Sequence, residues 1–207
     1  MILLLLFSII VHEVAHGYTA YLCGDPTAKS QGRLTLNPFA HIDMVGTVLF
    51  PLILVLTKSP ILFGWAKPVP VNTSLLRNPR RDHLLVSLSG ITANLFLAIM
   101  FTVLYGFSII LLQPPLHQAW QVLVSAGIEI NVLLAVFNMM PIPPLDGSWI
   151  LYQILPRSLA RIYLKIFPFG FLILVLLLMT NTLNYLMIPL RTALYRLLSE
   201  IVITIVR

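Results

Sequence analysis

Two histidines and a glutamate lie within about one helical turn of each other in the segment VHEVAHG, residues 11–17. His12 and His16 are four residues apart, so on a helix both imidazoles project from the same face and can bind one metal ion. Glu13 follows His12 directly and is offset from that face, where it can reach a metal-bound water without being a ligand. The pattern H-E-x-x-H is typical of two zinc ligands and a general base.

A catalytic zinc needs a third protein ligand and an open position for water. Asp146 is the best candidate, because it follows the proline-rich segment PIPPL, residues 141–145, in which a regular helix cannot continue. Irregular backbone at membrane depth is tolerated where it lines a cavity, and there it can aim a carboxylate inward. The other acidic residues have structural interpretations: caps or turn residues for Asp25, Asp43 and Asp82, a polar contact within the bundle for Glu129, and an ion pair with an arginine of the tail for Glu200.

The elements that carry these residues must lie in a membrane. Of the 207 residues, 58% are hydrophobic and 10% are charged, and the mean hydropathy is +0.94. A soluble domain has about 25% charged residues, so we predict an α-helical polytopic membrane protein that has the lipid bilayer as its partner. The net charge of +6 does not indicate nucleic acid, since the Lys and Arg residues lie between apolar runs, where they set topology.

Five strongly apolar regions predict a bundle of about four to six transmembrane helices. These regions are residues 1–22, 44–57, 84–112, 119–140 and 166–190. The first lacks a basic start and a small-residue cleavage site, so it is interpreted as a retained span and not as a signal peptide. The second has only 14 residues, whereas a helix needs about 20 to cross, so a re-entrant segment is predicted. The last is either one long span or two pieces broken near residues 180–182.

A re-entrant second region places the basic residues on one face of the membrane. They are Lys29, Arg33, Lys58, Lys67, Arg77, Arg80, Arg81, Arg157, Arg161 and Lys165. The positive-inside rule makes that face cytoplasmic. We therefore predict a multi-pass protein of the cell membrane, with the metal cluster biased toward the cytoplasmic side.

Two segments at this face predict short β-strands. GRLTL, residues 32–36, and KPVPV, residues 67–71, have extended character, and prolines confine the second to a sheet edge. Such an edge can hold an unwound peptide by main-chain hydrogen bonds. The whole chain, residues 1–207, is predicted to be one membrane-embedded domain, with a catalytic core over about residues 1–155 and C-terminal helices over about residues 158–207.

Several separated motifs together resemble the site-2 protease family of intramembrane zinc metalloproteases. HEVAH and FNMMPIPPLDG (137–147) carry the resemblance, and GRLTLNPFAHIDMVGT (32–47) and GWAKPVPVNTSLLRNPRRD (64–82) are similar to cytoplasmic-side segments of compact members. SGITAN resembles the family motif Gly-Pro-x-x-Asn, with Ile91 in place of the usual proline. No segment resembles a PDZ domain, so the expected form is the compact one, without regulation by a PDZ module.

The resemblance implies a set of site residues. His12, His16 and Asp146 are the expected ligands of one Zn²⁺ per chain, and Glu13 is the expected catalytic base. Asn94 and Asn138 fall where the family has polar residues that line the cleft. Each is a candidate for binding substrate, and each is equally well explained as a cap or a bridge between helices.

The implied reaction is hydrolysis of a peptide bond in or near a transmembrane segment of a protein substrate, as in regulated intramembrane proteolysis. The alternative is a membrane metal-ion transporter or another metal-binding membrane protein, because His and Asp in membrane helices also mark ion pathways. A conduction path usually needs several sites in series, whereas the sequence contains one cluster.

Overall fold

A computed structural model describes residues 1–58, 66–113 and 116–207, and over these ranges the protein is mostly helical. The α-helices are α1 (Ile2–Leu22), α2 (Thr27–Ser30), α3 (Phe50–Leu56), α4 (Pro79–Leu111), α5 (Leu116–Met139), α6 (Asp146–Ile154), α7 (Arg157–Leu164), α8 (Gly170–Met179) and α9 (Thr182–Val206). Shorter helical turns are the 3₁₀ helices Pro38–His41, Thr73–Leu75 and Phe167–Phe169 and the π-helix Met44–Leu49.

Four segments are long and apolar enough to cross a membrane: α1, α4, α5 and the combined stretch Arg157–Met179. The prediction of a multi-pass helical membrane protein is therefore confirmed. Of the two possibilities left open for residues 166–190, the structure has the broken one. Asn181 lies between α8 and α9 in the left-handed region, at φ +57°, so the chain turns there instead of continuing one long helix.

The long helix α4 is the centre of the bundle and packs against α1, α5, α6 and α9. The main apolar core lies on the side of α4 that faces α5 and α9. Its buried members are Ala98, Val132, Val136, Met140, Leu145, Leu174, Leu183, Met187 and Leu198. One turn away on α4, Asn94 contacts both α1 and α5, so a polar centre adjoins the apolar core along the same helix.

An arginine joins the beginning of α4 to the end of α6. Arg80 donates from Nε to the carbonyl of Gln153 at 2.6 Å and from Nη2 to the carbonyl of Leu155 at 3.0 Å. These carbonyls belong to the last turn of α6, where backbone acceptors lack helical partners. The start of α4 and the end of α6 therefore lie at the same end of the bundle.

The two predicted strands are wrong: no strand forms in the described ranges. Gly32 begins the first segment with φ +65°, in a turn. In the second segment Pro68 and Pro70 have no N–H to donate, and Val69 donates its N–H to the carboxylate of Glu13 at 2.8 Å. Residues 68–70 therefore have no free N–H for a strand ladder. The segment does lie beside Glu13, the expected catalytic base. Gly64 and Trp65 of the longer motif lie outside the described residues.

Residues 44–56 are helical, as the π-helix Met44–Leu49 followed by α3. The carboxylate of Asp43 begins this segment by accepting hydrogen bonds from the N–H groups of Val45 and Gly46, which is ordinary N-cap behaviour. Pro51 lies in the first turn of α3, where its missing N–H does no harm. The segment is shorter than the four candidate spans, and its re-entrant path stays a prediction.

Candidate metal centre

Helix α1 presents His12 and His16 to α4, and both side chains are buried. Gly90 of α4 lies directly opposite them. A Cβ at Gly90 would lie 2.5 Å from Nε2 of His16 and 2.6 Å from Cε1 of His12, closer than any real carbon contact. The two imidazoles therefore occupy space that only a glycine at this position leaves open.

Asp146 reaches the same place from α6. Helix α5 ends at Met139, the segment that follows turns sharply, and α6 begins at Asp146. Gly147 allows this close return, since a Cβ there would overlap the main-chain carbonyl of Met139. The proline-rich segment thus brings the carboxylate of Asp146 back against His12 and His16 of α1.

Three possible ligand atoms converge. Nε2 of His12 and Nε2 of His16 are 3.0 Å apart, and Oδ2 of Asp146 lies 3.1 Å from the first and 3.3 Å from the second. A tetrahedral ion with bonds of about 2.0–2.1 Å separates its ligand atoms by about 3.3 Å. The spacing therefore fits a single zinc-sized ion.

The hydrogen bonds of the other ring nitrogens strengthen this fit. Nδ1 of His16 lies 2.7 Å from the carbonyl of Val86, and Nδ1 of His12 lies 2.6 Å from Oδ1 of Asn94. Both partners are acceptors, so both Nδ1 atoms carry the proton and a neutral ring has its lone pair on Nε2. Oδ2 of Asp146 is buried without a hydrogen-bond partner. Three lone pairs that face one another repel unless a cation lies between them, so these residues fit a metal ion.

The carboxylate of Asp146 is ionised. Burial raises its pKa, but when the His12 and His16 rings are protonated, their hydrogen bonds and positive charge outweigh burial and lower the pKa to about 2. A metal ion would act in the same direction, since a nearby positive charge favours the carboxylate.

Glu13 is close to the cluster but is not one of the three converging side chains. Its Oε2 accepts the hydrogen bond from the N–H of Val69. Glu13, both histidines and Asp146 line one cavity of about 1080 Å³ that extends toward Arg80 and Arg157. The cluster is therefore accessible to a molecule much larger than water.

The two asparagines predicted to bind substrate differ in position. Asn138 lines the cavity and donates to the carbonyl of Leu134 at 3.0 Å. Asn94 is 0% exposed and bridges α1 and α5. Only Asn138 is therefore in a position to meet a molecule in the cavity.

Sequence reasoning missed three contributors to this centre. Asn131 extends the hydrogen bonding of Asn94, Gly90 makes room for the imidazoles, and the main chain of Val69 contacts Glu13. Asn131 had a signal, since an amide inside the apolar run SAGIEINVLL is expensive in lipid. A main-chain contact from a distant segment leaves no such signal.

A transmembrane helical bundle that gathers H-E-x-x-H and a distant aspartate on one cavity is the arrangement of a membrane-embedded metallohydrolase. Residues 107–180 match the model of peptidase family M50. "Putative zinc metalloprotease YwhC" of Bacillus subtilis (strain 168) is 36% identical over 201 residues, which cover 93% of this chain and 86% of that protein.

Two mycobacterial proteins are also similar. "Putative zinc metalloprotease Rip2" of Mycolicibacterium smegmatis is 32% identical over 179 residues, and its namesake in Mycobacterium tuberculosis (strain ATCC 25618 / H37Rv) is 31% identical over 179 residues. Each match covers 86% of this chain and 66% of the relative. No solved structure matches. The chain belongs to peptidase family M50, the site-2 protease family, and is a zinc metalloprotease.

Proposed function

We propose that this protease is an intramembrane endopeptidase that hydrolyses a peptide bond in or near a transmembrane segment of another membrane protein, as in regulated intramembrane proteolysis. One observation carries the proposal. The three converging ligand atoms and Glu13 line a large cavity between helices that are long and apolar enough to span a membrane. His12 is at the midpoint of α1, whose 21 residues extend about 31 Å, so this position suits cleavage within the bilayer.

In the proposed site His12, His16 and Asp146 hold one zinc ion per chain. A bound zinc supplies a Lewis acid that polarises a peptide carbonyl and makes a water molecule acidic enough to attack near neutral pH. Glu13 is the proposed general base: its carboxylate takes the proton of the attacking water and returns it to the leaving amine. Oε2 of Glu13 already accepts from Val69, so the other carboxylate oxygen is the one we assign to proton transfer.

Asn138 is our candidate for binding the substrate. It lines the same cavity as the proposed ligands, and an amide can pair with the main chain of an unwound peptide. The segment KPVPV offers that peptide few donors, because Pro68 and Pro70 have no N–H and the N–H of Val69 is already used.

The orientation we propose is a cell-membrane protein with its active site toward the cytoplasm. Basic residues at the start of α4 and at the start of α7 support it. Arg80 and Arg157 line the same cavity as the cluster, and Arg80 joins the start of α4 to the end of α6, just before α7. A basic end of a helical bundle faces the cytoplasm by the positive-inside rule.

A metal-ion transporter, the alternative from the sequence, has less support. The described ranges contain one group of three potential metal ligands, whereas a transport path usually needs several sites in series. The relatives are also named as zinc metalloproteases.

The proposal is tested with purified protein in detergent, by zinc content and by cleavage of a model transmembrane peptide. Wild type should hold one zinc, and His16→Ala and Asp146→Ala should lose it. Glu13→Gln should keep the zinc and lose cleavage by at least about a hundredfold. His117→Ala is the matched control, since this histidine bonds to the carbonyl of Ser108 and is not in the cluster.

Two outcomes would overturn the proposal. One is a wild type that binds no zinc after reconstitution. The other is a Glu13→Gln variant that cleaves at the wild-type rate.

A further inference from the structure

A buried polar network lies beside His12 and links three helices. Ser8 of α1, Asn94 of α4 and Asn131 of α5 are each 0% exposed. Nδ2 of Asn94 lies 2.9 Å from Oδ1 of Asn131, and Nδ2 of Asn131 lies 3.0 Å from Oγ of Ser8. Amide groups at this depth have no water to replace a lost partner, so each contact in the network matters.

The orientation of the Asn131 amide follows from a main-chain group. Nδ2 of Asn131 lies 2.9 Å from the carbonyl of Gly127, which can only accept a hydrogen bond. The amino end of Asn131 must therefore face Gly127 and Ser8. Its carbonyl end then faces Asn94 and can only accept from it.

The orientation of the Asn94 amide is determined in the same way. Its Nδ2 faces two acceptors, Oδ1 of Asn131 and the main-chain carbonyl of Ser8 at 3.3 Å. Its Oδ1 therefore faces Nδ1 of His12 at 2.6 Å. Two main-chain carbonyls thus decide, through two amides, that Nδ1 of His12 carries the proton.

We propose that Asn94 and Asn131 are positioning residues for the metal centre, which hold His12 in the Nδ1–H tautomer so that Nε2 presents its lone pair to the ion. Asn131 acts only through Asn94 and touches neither ligand nor substrate. This inference rests on the metal site of the proposed function. It gives Asn94 a role in place of the substrate binding expected from the sequence.

His16 obtains the same tautomer by a different route. Its Nδ1 donates to the main-chain carbonyl of Val86, which no substitution removes. The two histidine ligands therefore differ in what holds them: His12 depends on side chains, whereas the shortest contact of His16 is to backbone, with Oγ of Ser89 farther away at 3.4 Å. Substitutions in the network should weaken metal binding through His12 alone.

The test measures zinc affinity in detergent by competition with a chelator, and the absorption spectrum of the Co²⁺-loaded protein. Asn94→Leu should weaken zinc binding about 10- to 100-fold, the usual effect of removing a partner behind a metal-bound histidine. Asn94→Asp should stay within about threefold of wild type, because a protonated carboxyl accepts from Nδ1–H with its carbonyl oxygen and donates its O–H to Oδ1 of Asn131 in place of the amide. Thr102→Val is the control on the same helix, since its buried hydroxyl bonds only to the carbonyl of Ala98.

The role of Asn131 is tested by comparing the zinc affinities of single and double variants. Asn131→Leu alone should weaken zinc binding and alter the Co²⁺ spectrum. Added to Asn94→Leu, it should change the affinity by less than about twofold, because residues that act along one path do not add. Helical content measured by circular dichroism shows that each variant is folded, and if Asn94→Leu does not fold, Asn131→Leu and Asn94→Asp carry the test.

The outcomes separate this inference from the proposed function. A wild type without zinc refutes the metal site itself. If the wild type binds zinc and the Asn94→Leu and Asn131→Leu variants bind it equally tightly, the metal site stands and the positioning role of the asparagines is overturned. An Asn94→Asp variant as weak as Asn94→Leu also overturns it, since an acceptor at position 94 would then not be what His12 needs. An Asn131→Leu effect that persists in full beside Asn94→Leu overturns the role of Asn131.

Discussion

At the scale of single residues, the metal centre depends on a missing side chain as much as on its ligands. Gly90 faces both imidazoles at distances that no Cβ tolerates. The rings cannot move aside freely, because the Nδ1–H of each donates a hydrogen bond to an acceptor on α4. Position 90 therefore controls the distance between the ligands and α4.

Gly90→Ala should reduce zinc affinity by roughly tenfold or more, because the new methyl group displaces one or both imidazoles. Zinc competition measures the effect. Gly106→Ala is the matched control on α4, because a Cβ there would meet the side chain of Ile205, with its nearest atom at 3.0 Å, and none of the metal ligands. Both variants gain the same helix propensity, about 1 kcal/mol. Equal zinc affinity in the two variants would contradict this account of Gly90.

Cys23 gives a pH-dependent prediction outside the spans. Desolvation raises the pKa of its thiol, as does nearby Asp82, and the guanidinium groups of Arg77 and Arg81 offset only part of this. A raised pKa means less thiolate at a given pH, and the thiolate is the reactive form. Alkylation by a maleimide near pH 7 should therefore be slower than for a free small thiol and should accelerate as the pH rises. Mass spectrometry of the labelled protein follows the rate; a rate equal to that of the free thiol would refute the prediction.

The ligand residues show what sequence alone can predict. His12, Glu13 and His16 were found from local spacing, because four residues on a helix fix a direction in space. Asp146 needed an argument about where a broken helix returns, since it is far from His12 along the chain. The role of Asn94 could not be deduced, because it depends on which amide end faces which carbonyl, and only coordinates contain that information.

At the scale of elements, the segment 67–72 acts as a brace across α1. At its first residue, the N–H of Lys67 donates to the carbonyl of His41 at 2.9 Å, and the carbonyl of Lys67 accepts from the guanidinium of Arg33 at 2.8 Å. At its last residue, the N–H of Asn72 donates to the carboxylate of Asp25 at 2.6 Å. Between these contacts, Val69 packs closely on Gly17. A Cβ added at Gly17 would lie 2.5 Å from Cγ1 of Val69. The brace fixes where the N–H of Val69 meets Glu13.

Val69→Pro should lower the cleavage rate by about tenfold while leaving zinc content unchanged, because it removes the N–H that holds Glu13. Val69→Ala keeps that N–H and is the control for lost side-chain packing. Parallel assays of zinc content and peptide cleavage make the comparison. If both variants cleave at the same rate, the main-chain contact is not what positions the base.

The elements also differ in how well they could be predicted from the sequence. The four apolar spans were evident because length and hydropathy are summed over many residues. The strands were wrong because extended character was taken for pairing. Pro68 and Pro70 have no N–H, and the Val69 N–H between them donates to the carboxylate of Glu13. The break at Asn181 remained open because one left-handed residue in a long apolar run is a weak signal.

At the scale of the whole molecule, a bound ion would join the first helix to the sixth. His12 and His16 come from α1 and Asp146 from α6, so the unfolded chain does not hold the ligand set together. An ion that binds only the folded protein at a hundred times its Kd stabilises it by about 2.7 kcal/mol.

Removal of zinc with a chelator should therefore lower the melting temperature in detergent by roughly 5 °C or more. A thermal scan with and without chelator measures this shift. Asp146→Ala should melt at the same temperature in both conditions, because it has no ion to lose. A chelator effect of equal size in Asp146→Ala would mean that the ion acts elsewhere.

The network of Ser8, Asn94 and Asn131 has a second consequence, for assembly. Its donors and acceptors match only when α1, α4 and α5 have one rotation and one axial register. Any other arrangement leaves amide groups without hydrogen-bond partners in hydrocarbon, which costs several kcal/mol of free energy for each group. The same contacts orient His12. The network therefore selects one alignment of the three helices, and a chain whose helices are misaligned should also lack the contacts that complete its metal centre.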